Sequence, residues 1–236
     1  MSPGEAAREE EAHEELGDDM NIDSKDYHDY VIKDGKLVGE FEQMYQKSEG
    51  IPWQQDIDAQ RLDVRIAIDM IRDLGRFDSI CDIGCGLGYF LDAVYGEMGH
   101  CASLGIGCDV SSTACQKARE KFPYLLFTEQ NLMDDGLRFT PVIASLVTIR
   151  GVLWYVTPKL ETAVMNVKRC VRDGGYLLVA QNFPPLDSNF SGKDKIPNPE
   201  ALNSMFKDLS TIRTAWVESK NSSGNDNWFF GVYKKD

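Results

Sequence analysis

The feature that most constrains this chain is the segment Ile80–Phe90, ICDIGCGLGYF, in which three glycines at alternate positions directly follow an apolar run. A glycine inside regular structure costs roughly 0.5–1 kcal/mol relative to alanine, because it loses more conformational freedom on folding. The three glycines therefore indicate that something approaches this backbone too closely for side chains. We expect a strand before the glycine loop and a helix after it.

Strand and helix patterns alternate along the chain. Short apolar runs bounded by turn residues predict strands over Ser79–Ile83, a run ending at Asp109, and residues 124–130, 142–149 and 176–182. Helical spacing and capping residues predict helices over 56–74, 87–98 and 112–121, one from Thr157-Pro158 to Gly174-Gly175, and one opened by Asn198-Pro199. In the first helix the apolar stripe is predicted to comprise Leu62, Ile66, Met70 and Leu74.

The last two apolar runs, 211–219 and 227–235, predict an antiparallel hairpin. Alternating strands and helices with continuous apolar strands indicate a sheet covered on both faces. The fold expected is therefore α/β: a Rossmann-like, doubly wound, mostly parallel seven-stranded sheet with a C-terminal antiparallel hairpin.

Charge is concentrated at the N-terminus. The net charge is −13, and residues 1–29 hold eleven acids against Arg8 and Lys25, a net of −9. We expect residues 1–25 to be a disordered acidic leader and residues 26–236 to be one domain, with a lid over about 27–55. The N-terminus differs from a secretory signal, and the chain has no run of about 18 apolar residues and no basic stripe. A cytoplasmic protein without a membrane or nucleic-acid partner is expected.

The six cysteines form no CxxC pair, and most lie in apolar runs. Reduced, buried thiols are the expectation. No spacing of histidines, cysteines and carboxylates indicates a metal ion, so none is predicted.

The glycine spacing separates two kinds of nucleotide site. A dinucleotide loop needs G-x-G-x-x-G, whose last glycine would fall on Tyr89 if counted from Gly84, or on Leu91 if counted from Gly86. The pattern fails in both frames, which disfavours a nicotinamide-dependent reductase.

The sequence D-I-G-C-G-x-G instead resembles the first motif of the class I S-adenosylmethionine-dependent methyltransferases, and the resemblance runs from about residue 40 to the C-terminus. The motif comprises Asp82, Gly84, Cys85, Gly86 and Gly88. In that family the glycine-rich turn lies under the methionine and ribose portions of the cofactor. The resemblance implies S-adenosyl-L-methionine as cofactor and these five residues as part of its site.

Residues after the next two strands extend this site. Asp109 ends the second strand, where a carboxylate can accept hydrogen bonds from both ribose hydroxyls; a surface helix cap is the alternative. By resemblance, Val110 lies against the adenine. Asn131 accepts from the adenine amino group and Leu132 offers its backbone amide, although a loop asparagine without a ligand, or a register using Asp134, also fits.

The fourth strand departs from the family pattern. Ser145 stands where relatives carry an aspartate, and Tyr155 stands where many carry a histidine. Arg150 falls at the carboxyl end of this strand, facing the expected cofactor. Trp154 and Tyr155 are either walls of an acceptor pocket or core aromatics.

The segment before the first long helix carries a second resemblance. EFEQMYQKSEGIPWQQD, with Tyr45, Pro52 and Trp53, is similar to small-molecule methyltransferases of the nodulation and polysaccharide-modifying kind, in which an aromatic-Pro-Trp stretch covers the cofactor. Arg61 either pairs with the methionine carboxylate or is a helix-surface arginine.

These residues together predict methyl transfer by in-line displacement to a hydroxyl or amine of a small polar metabolite. His28 is the candidate base, and the alternative is a lid tyrosine such as Tyr27, Tyr30 or Tyr45 that hydrogen-bonds the acceptor. Tyr155 is a further candidate catalytic residue. A catalytically silent, cofactor-binding relative is the alternative, because Asn131, Ser145 and Tyr155 depart from the family pattern. The oligomeric state stays open, a homodimer included.

Overall fold

The computed structural model describes residues 27–33, 36–98, 104–188, 191–221 and 224–236, so the whole predicted leader, residues 1–25, lies outside the described residues. The strands are β1 (Ile32–Lys33), β2 (Lys36–Leu37), β3 (Ser79–Ile83), β4 (Leu104–Asp109), β5 (Leu126–Glu129), β6 (Ala144–Arg150), β7 (Val171–Phe183), β8 (Ser210–Val217), β9 (Lys220–Asn221), β10 (Gly224–Asn225) and β11 (Asn227–Lys234). The α-helices are α1 (Phe41–Lys47), α2 (Leu62–Asp69), α3 (Tyr89–Met98), α4 (Ser112–Lys121), α5 (Leu160–Cys170) and α6 (Pro199–Ser204). Three 3-10 segments, Tyr27–Tyr30, Pro52–Gln60 and Leu153–Lys159, complete the helical elements.

A seven-stranded sheet with the order β5-β4-β3-β6-β7-β11-β8 forms the centre of the molecule. The first five strands pair in parallel, and β11 pairs antiparallel with both β7 and β8. The predicted Rossmann-like α/β fold is confirmed. Buried apolar side chains cover the sheet in two clusters, one including the inward face of α5 and the other including those of α2, α3 and α4.

The register brings the predicted site to one edge of the sheet. Ile83, the last residue of β3, pairs with Cys108 on one side and with Ile149 on the other. Asp109 and Arg150 therefore end their strands beside the glycine loop. The carboxyl edge of a parallel sheet is where open α/β folds bind ligands.

The helix predicted over 56–74 is wrong in its extent, and its stripe is only partly right, since Ile66, Met70 and Leu74 pack against the core but Leu62 does not. Residues 52–60 form a 3-10 segment with a kink, and the α-helix spans only Leu62–Asp69. Leu62 is 51% exposed, whereas Val64, Ala67 and Ile68 are buried. The four-residue spacing identified a helix, but packing against the sheet selected a neighbouring face.

The boundaries of α5 also differ from the prediction. Thr157 does not cap the helix: its hydroxyl donates to the Trp154 carbonyl, and α5 begins after the following proline, at Leu160. Gly174 and Gly175 do not end it but lie within β7. A Cβ at Gly175 would lie 2.8 Å from the Arg172 carbonyl oxygen, so the irregular start of β7 requires a small residue there.

Among the described residues, no helix is both long and apolar enough to cross a membrane.

Candidate active site

The backbone amides of the glycine loop are held from two directions. Gly84 and Cys85 both donate to the Cys108 carbonyl, at 2.7 and 3.0 Å, which ties the loop to β4. The Gly86 amide donates to Asp109 Oδ2 at 2.8 Å, and the Leu87 amide donates to Gln55 Oε1 at 2.9 Å. The loop therefore meets the end of β4 and the predicted lid at successive residues.

At each glycine of the loop, a different neighbour leaves no room for a side chain. A Cβ at Gly84 would lie 2.3 Å from Val152, and one at Gly88 would lie 2.8 Å from Phe127. A Cβ at Gly86 would instead lie 2.6 Å from the Gln55 side-chain oxygen. All three glycines have positive φ values, between 53° and 86°. Packing within the protein thus accounts for two of them, and only Gly86 faces the lid.

Asp109 fits the requirements of a ribose-binding carboxylate. It is 8% exposed, and its oxygens accept from the Gly86 amide and, at 3.0 Å, from the Ser111 amide. Burial raises the pKa of this carboxyl, and hydrogen bonds from backbone amides oppose that shift. A carboxylate offers about four acceptor positions, so capacity remains for a ligand hydroxyl. Val110 beside it is 42% exposed, as a surface for a planar ring requires.

Aromatic side chains of the lid pack above the loop. Tyr45 is buried and its ring centroid lies 6.3 Å from that of Trp53, which lies 5.9 Å from Tyr155. Trp53 and Gln54 both have left-handed φ values, 55° and 51°. This conformation is strained for residues other than glycine, and such strain concentrates at ligand clamps and switch regions.

The surroundings of Tyr45 restrict the protonation state of its phenol. Burial, followed by the charge of Asp109, raises the pKa of its phenol well above the usual value. Its oxygen accepts from Gln55 Nε2 at 3.3 Å. Because the phenol stays protonated at neutral pH, Tyr45 can donate a hydrogen bond but cannot serve as a base. His28 lies in the 3-10 segment Tyr27–Tyr30.

A buried carboxylate that the sequence analysis missed joins the two predicted arginines. Asp63 is 4% exposed and accepts from Arg61 Nε at 3.0 Å and from Arg150 Nε at 2.8 Å. The Arg150 guanidinium also lies over the rings of Phe90 and Trp228, at 5.3 and 5.4 Å. Two arginines thus meet at one buried carboxylate. An acid within the apolar stretch of α2 was the signal available in the sequence.

The remaining predicted cofactor residues occupy supporting positions. Asp82 is buried in β3 and accepts from the Thr148 hydroxyl at 2.7 Å. The Asn131 side-chain oxygen accepts from the Met133 amide at 2.9 Å. Leu132 is buried, and its carbonyl accepts from Asn166 at 2.9 Å.

Ser145 and Trp154 belong to the framework. The Ser145 hydroxyl donates to the Ser79 carbonyl at 2.8 Å, at the amino ends of β6 and β3 and so away from the site edge. The Trp154 ring packs edge-on against Phe183 at 5.2 Å, and its Nε1 donates to the Asn182 carbonyl. The departure from the family pattern at Ser145 is therefore structural.

A separate cavity of about 1120 Å³ opens beside α5, bounded by residues such as Lys168, Met205 and Asp208. None of the predicted site residues lines it. The chemistry of the glycine loop and Asp109, rather than volume, identifies the candidate site.

Solved methyltransferases share this fold. N-methyltransferase NodS from Bradyrhizobium japonicum WM9, in complex with S-adenosyl-L-homocysteine, superposes with a TM-score of 0.63 at 13% identity, covering 82% of this chain and 97% of that chain. The CurJ carbon methyltransferase gives 0.60 at 15% identity, covering 84% and 62% respectively. A chain of the complex between the Haloferax volcanii Trm112 methyltransferase activator and the putative methyltransferase gives 0.58 at 14% identity, covering 83% and 97%. At these identities the likeness is one of fold.

The sequence itself identifies the family. Residues 80–175 match the family model described as Methyltransferase domain. No curated protein matches the sequence significantly. Residues 80–175 therefore form a methyltransferase domain, for which S-adenosylmethionine is the cofactor, as the glycine motif predicted.

When bound, S-adenosylmethionine supplies a methyl group on a positively charged sulfur, which is already activated for displacement. The task left to the protein is to orient the two reactants and to exclude water, and positioning of this kind can lower a barrier by several kcal/mol. Asp109, the Arg61–Asp63–Arg150 cluster and the aromatic lid are the residues suited to that task.

Proposed function

We propose that this enzyme transfers the methyl group to a hydroxyl or amine of a small polar metabolite. The observation that carries the proposal is the covered site. Tyr45 and Gln55 lie directly against Gly86, and Trp53 and Tyr155 pack around them. A lid that closes over the reacting groups suits an acceptor small enough to be enclosed.

The charge of the chain supports the same acceptor class. A net charge of −13 without a basic stripe is unsuited to a nucleic acid. The similar structures include an N-methyltransferase and a carbon methyltransferase, so they do not select the acceptor atom.

The residues proposed to act on the acceptor have different roles. His28 is the proposed base, which a hydroxyl acceptor needs more than an amine does. Tyr45 is proposed as a hydrogen-bond donor, since its raised pKa keeps the phenol protonated. Tyr155 is proposed as the wall of the acceptor pocket that faces Trp53.

The test measures methyl transfer from labelled S-adenosylmethionine to separate pools of small metabolites, protein and RNA. Label is expected mainly in the small-molecule pool. Label mainly in protein or RNA would overturn the proposed acceptor class. Calorimetry with S-adenosylhomocysteine and NADH provides the control, with binding expected only for the first.

A further inference from the structure

The lid helix α1 is joined to the start of α4 by one carboxylate. Glu42 Oε2 accepts from the Ser111 hydroxyl at 2.6 Å and from the Thr113 amide at 3.2 Å. Glu42 Oε1 accepts from the hydroxyls of Thr113 at 2.6 Å and Ser112 at 3.2 Å. These bonds, that from Ser111 foremost, lower the pKa of Glu42 to about 2, so the carboxylate is charged at physiological pH.

Helix α4 does not depend on Glu42 for its N-terminal cap. The Ser111 hydroxyl already accepts from the Ala114 amide at 3.0 Å and is the N-cap of α4. A carboxylate near a helix N-terminus also interacts favourably with the helix dipole. The bonds to Glu42 therefore serve the lid: α1 has seven residues, too few for an isolated helix to be stable in water.

Ser111 connects this contact to the candidate cofactor site. Its amide donates to Asp109 Oδ1 at 3.0 Å, and Asp109 Oδ2 accepts from the Gly86 amide at 2.8 Å. A continuous hydrogen-bonded path thus runs from Glu42 through Ser111 and Asp109 to the glycine loop.

A second path runs from the same helices to the next residue of the loop. Lys117 of α4 donates to the Tyr45 carbonyl at 2.5 Å. The Tyr45 hydroxyl accepts from Gln55, whose side-chain oxygen accepts from the Leu87 amide. Hydrogen bonds therefore link the packing of α1 on α4 to the positions of the Gly86 and Leu87 amides.

We propose that Glu42 is a positioning residue that fastens the lid to α4 and, through Ser111, holds Asp109 and the glycine loop in the geometry that binds the cofactor. Lid closure and cofactor binding are then one coupled event. The proposal rests on the cofactor site described above and adds the residue that ties the lid to it.

The first experiment uses the full chain without cofactor and measures hydrogen exchange of the α1 amides. Glu42→Ala should speed their exchange roughly tenfold or more, as loss of hydrogen bonds to a charged group predicts, while β3 and β6 keep their protection. Glu42→Gln retains one acceptor oxygen and should have an intermediate effect. Glu40→Gln, at an exposed residue directly before α1, is the matched control and should match the parent. Equal exchange in Glu42→Ala and the parent would overturn the proposal.

The second experiment measures S-adenosylhomocysteine affinity by calorimetry. Glu42→Ala and Thr113→Val should each weaken binding, and the double variant should lose less than the sum, because both changes break the same contact. Strict additivity would overturn the proposed contact. If Glu42→Ala binds like the parent, the positioning role fails while the proposed function stands. If the parent does not bind S-adenosylhomocysteine, both fail.

Discussion

Asp109 bonds at once to the glycine loop and to the start of α4. Asp109→Ala should weaken S-adenosylhomocysteine binding by about 1.5–3 kcal/mol, the value of a hydrogen bond to a charged group. It should also lower the melting temperature, because the Gly86 and Ser111 amides lose their acceptor. Calorimetry and thermal unfolding measure the two effects, with exposed Asp187→Ala as control. Unchanged affinity in the variant would remove the ribose assignment.

Gly84 and Gly96 allow a second prediction at the scale of single residues, because the first is tightly packed and the second is not. Gly84 has a φ of +72° and a Cβ there would lie 2.3 Å from Val152, whereas a Cβ at exposed Gly96 of α3 meets nothing within 4 Å. Gly84→Ala should lower the free energy of unfolding by about 2 kcal/mol or more, through backbone strain and overpacking. Gly96→Ala should raise it by up to about 1 kcal/mol. Urea unfolding of both variants measures the difference, and equal effects would contradict the packing role of Gly84.

At the scale of elements, the sequence predicts a strand or a helix end correctly wherever neighbouring residues in the chain determine it. The strand Ser79–Ile83 follows from a short apolar run and the helix start at Asn198 follows from its side-chain oxygen, and the structure confirms both. The buried face of α2 and the start of α5 depend on what packs against them, so apolar spacing located the first only in part and the Thr157-Pro158 signal misplaced the second.

The residues of the candidate site also fall into two groups, those that the sequence predicts and those that depend on distant partners. The glycine motif and Asp109 were predictable because strand order brings the carboxyl ends of parallel strands together. Gln55 and Glu42 were not, because the Leu87 amide and the α4 groups that they bind lie 32 and 69 to 71 residues away in sequence. Such long-range contacts exist only in the folded chain.

The lid itself leads to a prediction about turnover. Trp53 is half-buried, has a left-handed backbone and contacts Tyr45 and Tyr155 rather than the central core. Trp53→Ala should reduce kcat/KM roughly a hundredfold, the cost of misplacing reactants by about an ångström, and should change the melting temperature little. Trp216→Phe, on the edge strand β8, is the control for aromatic substitution and should leave turnover unchanged. A variant that loses stability and activity in parallel would show that Trp53 is a core residue.

At the scale of the whole molecule, most of the net negative charge lies in a different part of the sequence from the apolar residues that form the core. Residues 1–24 contain no periodic apolar face, and most of the net charge of −13 lies in the first 29 residues. Deletion of residues 1–24 should leave both the melting temperature and S-adenosylhomocysteine affinity nearly unchanged. Thermal unfolding and calorimetry on the truncated chain test this, and a large loss of either would show that the leader docks on the domain.

The buried thiols give the molecule an internal reporter of its own opening. Cys81, Cys85, Cys108, Cys115 and Cys170 are all buried, and burial raises the pKa of Cys115 to about 11 and that of Cys170 to about 12. The thiolate is the reactive form of cysteine, so the raised pKa values of Cys115 and Cys170 add to the shielding that burial gives all five side chains. An alkylating reagent can therefore modify them only in molecules that have opened. The rate at which these thiols are labelled then measures how often the sheet beneath the cofactor site comes apart.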